Sequence, residues 1–216
     1  MKLYLFDHCP YCIKAQLVVG IKKMDVEILY LQNDDVEARV EKVGVNLVPI
    51  LEKEDGSYMA ESLDIAAYLN QYDHHRVIGK STQADEVTQW LAAVSPYVRP
   101  LIYPRWMKIP LPEFQRPSAY EWFTTKKTAM IDLSFDAAFE RSEEYIAKLA
   151  PMLVEIDFIT LPSAKGDKLS WDDINFFPFL RNLTVIKGLT FPPHIKMYLE
   201  EISELTGIDL YFDVAV

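Results

Sequence analysis

A mixed α/β domain followed by an all-helical domain is predicted for this 216-residue chain, and three observations carry the prediction. An apolar strand at the start runs directly into Cys9-Pro10-Tyr11-Cys12 and then into a helical pattern. A Val48-Pro49 step opens a later apolar strand. From Ala84 onward the apolar residues recur at helical spacing, with no convincing strand among them.

Lys2 to Phe6 reads as the first strand, its continuous apolar run suggesting burial on both faces. Ile13, Leu17, Ile21 and Met24 recur at helical spacing after the cysteines, and the β-branched and aromatic stretch Val26 to Leu31 reads as a second strand. A strand–helix–strand crossover makes that pair parallel. Asn33-Asp34-Asp35 caps a short helix ending near Gly44. Leu47 to Leu51 is a third strand, and its proline is accommodated by a cis Val48–Pro49 bond at the strand's start. Asp55-Gly56 signals a hairpin into Ser57-Tyr58-Met59. Glu61-Ser62 then opens a helix with Ile65, Tyr68, Leu69 and Tyr72 on its apolar face. The order β-α-β-α-β-β-α, with a dithiol after the first strand and Val-Pro at the third, is that of the thioredoxin fold.

Residues 1–72 form this domain, the polar stretch 73–83 is a linker, and 84–216 form the all-α domain. Trp90, Val94, Val98 and Leu101 mark one helical face, but Pro96, Pro100 and Pro104 predict a kinked or interrupted helix there. Ser118 to Met130 and Ser134 to Leu149 read as further helices. Leu169-Ser170-Trp171-Asp172-Asp173-Ile174 spells a capping box with Asp in place of Glu. A last helix runs from Pro192-Pro193 to Gly207, and the apolar tail Leu210 to Val216 is expected to pack back onto the protein.

The formal net charge of -10, without a basic block, argues against nucleic acid and anionic membranes as partners. No apolar run approaches the roughly 18 residues of a membrane span, and no signal-peptide pattern opens the sequence. Two cysteines and no signal point to a working dithiol in a reducing cytoplasm.

Cys9 falls where a loop meets a helix start, and there the helix dipole and unpaired N–H groups favour a thiolate. Cys9 is therefore the expected nucleophile, and Cys12, one turn inside, the resolving thiol. Half of a zinc site is the competing reading. No second cysteine pair supplies the other ligands, and the adjacent His74-His75 lack the separated spacing zinc takes, so no metal is expected. Pro10 stiffens the loop and Tyr11 walls a substrate groove, although a helix-start proline and an exposed ring are ordinary features. His8 is read either as a positive neighbour of the thiolate or as a surface histidine. The Val48 backbone beside Pro49 is free to pair with an extended peptide-like substrate. Ser62 and its helix N-terminus suit a carboxylate, and Glu61 suits an ammonium group. Glutathione has the thiol, peptide backbone and amino-acid head that fit these places.

Cys9-Pro10-Tyr11-Cys12 resembles the active-site motif of dithiol glutaredoxins. Glu61-Ser62 with a helical second domain resembles the glutathione transferase superfamily. The combination resembles the bacterial glutaredoxin 2 family, the large glutaredoxins of transferase-like architecture. The resemblance runs through Asp7 to Cys12, Val48 to Leu51, Tyr58-Met59, Leu169-Ser170 with Asp172 to Ile174, and Phe177 to Thr184. It implies a glutathione-transferase-like fold for the C-terminal domain. It also implies a glutathione-dependent thiol–disulfide oxidoreductase that serves electron transport and redox homeostasis. Cys9 and Cys12 would form its redox-active disulfide. Tyr11, Val48, Pro49, Glu61 and Ser62 would bind glutathione as cosubstrate, and glutathionylated or disulfide-containing proteins would be the partners of a monomer. The alternative is a glutathione transferase acting on small electrophiles, disfavoured by the retained Cys12. A non-catalytic scaffold and an iron–sulfur carrier rank lower. No basic residue stands out beside Gln32 or Asn46 to meet the glycyl carboxylate, and Leu47 is apolar where related enzymes often carry a polar residue.

Overall fold

The structure, a computed structural model, describes residues 1–75 and 77–216. Its first part runs β1 (Lys2–Leu5), α1 (Pro10–Ile21), β2 (Glu27–Tyr30), α2 (Val36–Val43), β3 (Ile50–Glu52), β4 (Tyr58–Met59) and α3 (Ser62–Gln71). The order is the predicted one, but β3 begins only after the Val48-Pro49 step and not at Leu47. The sheet has the order β2-β1-β3-β4. β1 is parallel to β2 and antiparallel to β3, and β3 is antiparallel to β4. This topology brings the end of β1, the beginning of β3 and the end of β4 to one edge of the sheet. Cys9, Val48-Pro49 and Glu61-Ser62 all emerge there.

Local chemistry sets the boundaries. The Asp35 carboxylate accepts from the Ala38 N–H at 3.1 Å to start α2, and Gly44, with φ 78°, ends it in the left-handed region that glycine favours. The β3–β4 hairpin turns through Gly56, whose N–H donates to the Lys53 carbonyl.

β1 departs from the expected two-sided burial. Leu3 and Leu5 are fully enclosed with Ile13, Leu17, Leu51, Ile65 and Leu69. Lys2 and Tyr4 point to the other face, where both reach Glu52, at 3.2 and 2.6 Å. That face is only partly covered, and the Lys42 ammonium of α2 lies over the Tyr4 ring. Tyr72, assigned to the buried face of α3, is an exposed residue just beyond that helix.

The remaining helices are α4 (Ala84–Trp106), α5 (Pro117–Ile131), α6 (Phe135–Glu140), α7 (Ser142–Val154), α8 (Trp171–Leu183) and α9 (Pro193–Thr206). α4 is one continuous helix despite its three prolines. Their spacing of four places every missing N–H on one stripe, and Val94, Leu101 and Trp106 anchor the helix in the core. The single helix expected over 134–149 is instead two, α6 and α7, because Arg141 leaves helical geometry at ψ 14°. The capping box of α8 forms as read: Ser170 Oγ accepts from the Asp173 N–H, and Asp173 Oδ2 accepts from the Ser170 N–H at 2.6 Å.

Within 73–83, Arg76 lies outside the described residues. The described part holds no helix, and a lone parallel bridge joins Gly79 to Ser170. Asp172 Oδ2 accepts from the N–H groups of Thr82 and Gln83, tying this stretch to the start of α8. α1 packs against α8 and α9. Gly20 makes the latter contact possible, since a Cβ there would lie 2.2 Å from the Thr206 carbonyl oxygen. The tail returns as expected: the Val216 N–H donates to the Val185 carbonyl, and Arg105 Nε donates to the Val216 carbonyl at 2.8 Å. Among the described residues no helix is long and apolar enough to cross a membrane.

Candidate active site

Cys9 is the N-cap of α1 and Pro10 is its first residue. No side chain caps the helix, so its first N–H groups are left to the Cys9 sulfur. The Cys9 thiol is lowered to about 7, first by a hydrogen bond from Cys12, against the opposing effect of burial. The His8 charge and the N–H groups of Cys12 and Tyr11 add to the lowering. Cys12 is fully enclosed, its sulfur accepting from the Phe6 N–H at 3.5 Å. Burial pushes the Cys12 thiol well up, and its hydrogen bond to Cys9 raises it further. The pair is thus polarised: one thiol ionises near neutrality and the other holds its proton. Both are free thiols.

His8 is not a surface residue. It is buried, its ring within 6 Å of Phe6, Trp106, Phe114 and Phe123. Its Nδ1 meets Glu113 Oε1, and its backbone N–H donates to the same oxygen at 3.1 Å. Glu113 is completely enclosed, and its second oxygen has no partner among the described residues. Burial alone would raise its carboxyl, but hydrogen bonding and charge from His8 hold it below the usual carboxylate range.

The loop is fixed from the other side by α8. Arg181, also buried, donates to the Asp7 carbonyl at 2.8 Å, to the Asp7 carboxylate at 3.0 Å and to the Tyr211 hydroxyl at 2.7 Å. Asn182 Nδ2 donates to the His8 carbonyl at 2.9 Å. Glu113 escaped the sequence reading because Pro110 to Glu113 looks like an exposed loop. Arg181 and Asn182 fell within a recognised block, but nothing in their spacing pointed to the dithiol.

A cleft of about 560 Å³ opens over Cys9 between the sheet edge and α4, α5 and α8. Cys9, Tyr11 and Val48 line it, whereas Pro49, Glu61 and Ser62 do not. The Val48–Pro49 bond is cis. Among the described residues, neither the N–H nor the C=O of Val48 takes part in a backbone hydrogen bond. Glu61 has φ 70°, a left-handed value that is costly for a residue with a side chain. No side chain caps the helix that begins at Ser62.

Contrary to expectation, a basic residue does stand beside Gln32 and Asn46. Arg39 donates to Asn46 Oδ1 at 2.7 Å and to the Gln32 and Asn33 carbonyls, both at 3.1 Å, and it lines the cleft. Its place on α2, seven residues from either partner, hid it in the sequence.

Comparison with known proteins sets this geometry in a family. The model for "Glutaredoxin 2, C terminal domain" matches residues 86–215, and that for "Glutathione S-transferase, N-terminal domain" matches residues 3–76. Glutaredoxin 2 of Escherichia coli (strain K12) is 38% identical over 218 residues, covering 100% of both chains. The crystal structure of glutaredoxin 2 from Salmonella typhimurium in complex with glutathione superimposes with a TM-score of 0.92 at 38% identity, over 100% of this chain and 98% of that one. A glutathione transferase from Phanerochaete chrysosporium, GSTFuA3, shares the fold at a TM-score of 0.63 and 15% identity, over 97% and 98% of the two chains. With a polarised Cys9–Cys12 pair at the head of α1 and relatives matched from end to end, the chain belongs to the glutaredoxin 2 family.

Proposed function

We propose that this protein is a glutathione-dependent thiol–disulfide oxidoreductase acting through Cys9. The carrying observation is the polarised pair, with the Cys9 thiol lowered to about 7 and the Cys12 thiol pushed well up. Near neutral pH a large share of Cys9 is thiolate while Cys12 keeps its proton.

With a glutathione mixed disulfide, the Cys9 thiolate attacks the glutathione sulfur. A Cys9–glutathione disulfide forms, and the substrate leaves as a thiolate that takes a proton from water. A second glutathione thiolate then attacks, releasing glutathione disulfide and restoring Cys9. With a protein disulfide, Cys9 forms a mixed disulfide with one substrate sulfur and Cys12 attacks Cys9. The substrate is then fully reduced, and the Cys9–Cys12 disulfide carries the two electrons' worth of oxidation until two glutathiones reduce it.

The glutathione backbone would pair with the free N–H and C=O of Val48 beside Pro49. Its γ-glutamyl end would reach Glu61 and the start of α3 at Ser62, and Tyr11 would flank the sulfur. The shared sheet edge and the strained Glu61 support this placement. Glutathione is the only cosubstrate proposed, without a metal. The protein would act as a monomer in the cytoplasm on glutathionylated or disulfide-containing proteins, with domains at 1–72 and 84–216 joined by 73–83.

Full-length relatives that are glutaredoxins favour this reading over a transferase. Assaying reduction of a glutathione mixed disulfide beside conjugation of an aryl halide separates the two. Reduction that requires Cys9 is the expected result; conjugation that survives Cys9→Ser would overturn the proposal.

A further inference from the structure

The cleft over Cys9 has a charge that the rest of the chain does not. The sequence holds 32 acidic residues against 22 basic ones. Yet among the described residues lining the cleft there is no Asp or Glu, while Arg39, Arg99, Lys126 and Lys127 all line it. Arg39 spends its donors on Asn46, Gln32 and Asn33. The other three stand on α4 and α5, across the cleft from the dithiol, and form no ion pair among the described residues. Rings hold the two lysines: the Lys126 ammonium lies 4.9 Å from the Trp122 ring centre, and that of Lys127 lies 4.9 Å from the Tyr103 ring centre. Burial lowers Lys127, and the Cys9 charge acts on it in the opposite direction. Arg99 and Lys126 are exposed and Lys127 is half-buried. With no carboxylate among the described residues lining the cleft, the three give its wall a local positive field that attracts anions.

We propose that Arg99, Lys126 and Lys127 select the leaving half of the disulfide, favouring protein segments with acidic residues beside the target cysteine. This rests on the oxidoreductase reading above and names its substrate class. Glutathione occupies the Val48 side, so the polypeptide attached to the other sulfur has to leave toward α4 and α5. Trp122 and Tyr103 offer flat apolar surface to its backbone and side chains, and the three cations meet its carboxylates. The reaction is the exchange already written: the Cys9–glutathione bond forms, the substrate's disulfide bond breaks, and the acidic segment leaves as a thiolate. Complementary charge of this kind acts on encounter more than on the chemical step, so the preference belongs in kcat/KM and weakens with salt.

The test uses three synthetic peptides of one length, each joined to glutathione by a disulfide at a central cysteine and flanked by Glu, Gln or Lys. Wild type should reduce the Glu peptide about tenfold faster in kcat/KM than the Gln peptide at low salt, with the Lys peptide slowest. Arg99→Gln/Lys126→Gln should shrink the spread between the Glu and Lys peptides severalfold while leaving the Gln-peptide rate in place. That retained rate also reports an intact fold. Lys126→Glu, at an exposed position, should raise the Lys peptide relative to the Glu peptide. Equal wild-type rates on all three peptides would overturn this inference and leave the oxidoreductase reading standing. Reduction of none of them would overturn both. Loss of the Gln-peptide rate in the double variant would also overturn it, since the cations would then serve turnover or folding and not selection. So would a rise in the KM for reducing glutathione that is the same with every peptide.

Discussion

The main-chain N–H and the ring Nδ1 of His8 converge on one oxygen of Glu113, a carboxylate 105 positions further along the chain. The residue preceding the attacking thiol is thereby fastened to the helical domain. A buried hydrogen-bonding group left without its partner costs about 1–3 kcal/mol. Glu113→Ala should therefore lower the unfolding free energy by roughly that amount, measured by denaturant titration.

The same pair predicts an acid limb. The Glu113 carboxyl is held below its ordinary value of 4.5 in the folded state. As pH falls, the unfolded chain therefore takes up this proton first, and acid favours unfolding. The pair's contribution is present above about 4.5 and is lost as pH drops through the depressed folded value. Thermal midpoints of wild type should decline below that pH, and those of Glu113→Gln should decline less steeply. Parallel acid limbs would show that Glu113 has no part in the effect.

The thiol polarity has its own readout. Alkylation of Cys9 by iodoacetamide should follow a titration with a midpoint of about 7, and Cys12 should react far more slowly. Cys12→Ala removes the leading hydrogen bond to the thiolate, so the Cys9 midpoint should rise towards the ordinary cysteine value of about 8.5. An unmoved midpoint would mean that the helix start and His8 suffice by themselves.

Much of this arrangement was legible because it depends on local patterns. The strand–dithiol–helix opening, the Val48-Pro49 step, the Asp55-Gly56 turn and the Ser170 capping box each need only a few adjacent residues. Glu113, Arg39 and Arg181 act across long stretches of sequence or through a helix face, and a buried ion looks like a surface one until its partner is known. β1 misled for a related reason. Tyr4 counts as apolar in a run, yet its hydroxyl needs Glu52 at the half-covered face. In α4 the cost of each proline is local, whereas the packing of Val94, Leu101 and Trp106 that offsets it is not.

Gly20 tests how the dithiol helix is seated. An alanine methyl would meet the backbone of α9 at Thr206, where no flexible side chain is available to move aside. Gly20→Ala should destabilise the protein by about 1–3 kcal/mol through overpacking, despite alanine's better helix propensity. Denaturant midpoints of the two proteins check this; an unchanged or higher midpoint would mean that α9 yields.

The account stands on Cys9 as the attacking thiol, and the most direct measurement is turnover of a glutathione mixed disulfide by wild type, Cys9→Ser and Cys12→Ser. Cys9→Ser should lose activity by roughly a thousandfold or more, with no glutathione adduct detectable by mass spectrometry. Cys12→Ser should retain reduction of the mixed disulfide, since glutathione completes that cycle, and should lose reduction of protein disulfides. Full turnover by Cys9→Ser, or an adduct formed on Cys12 in the wild type, would contradict the account.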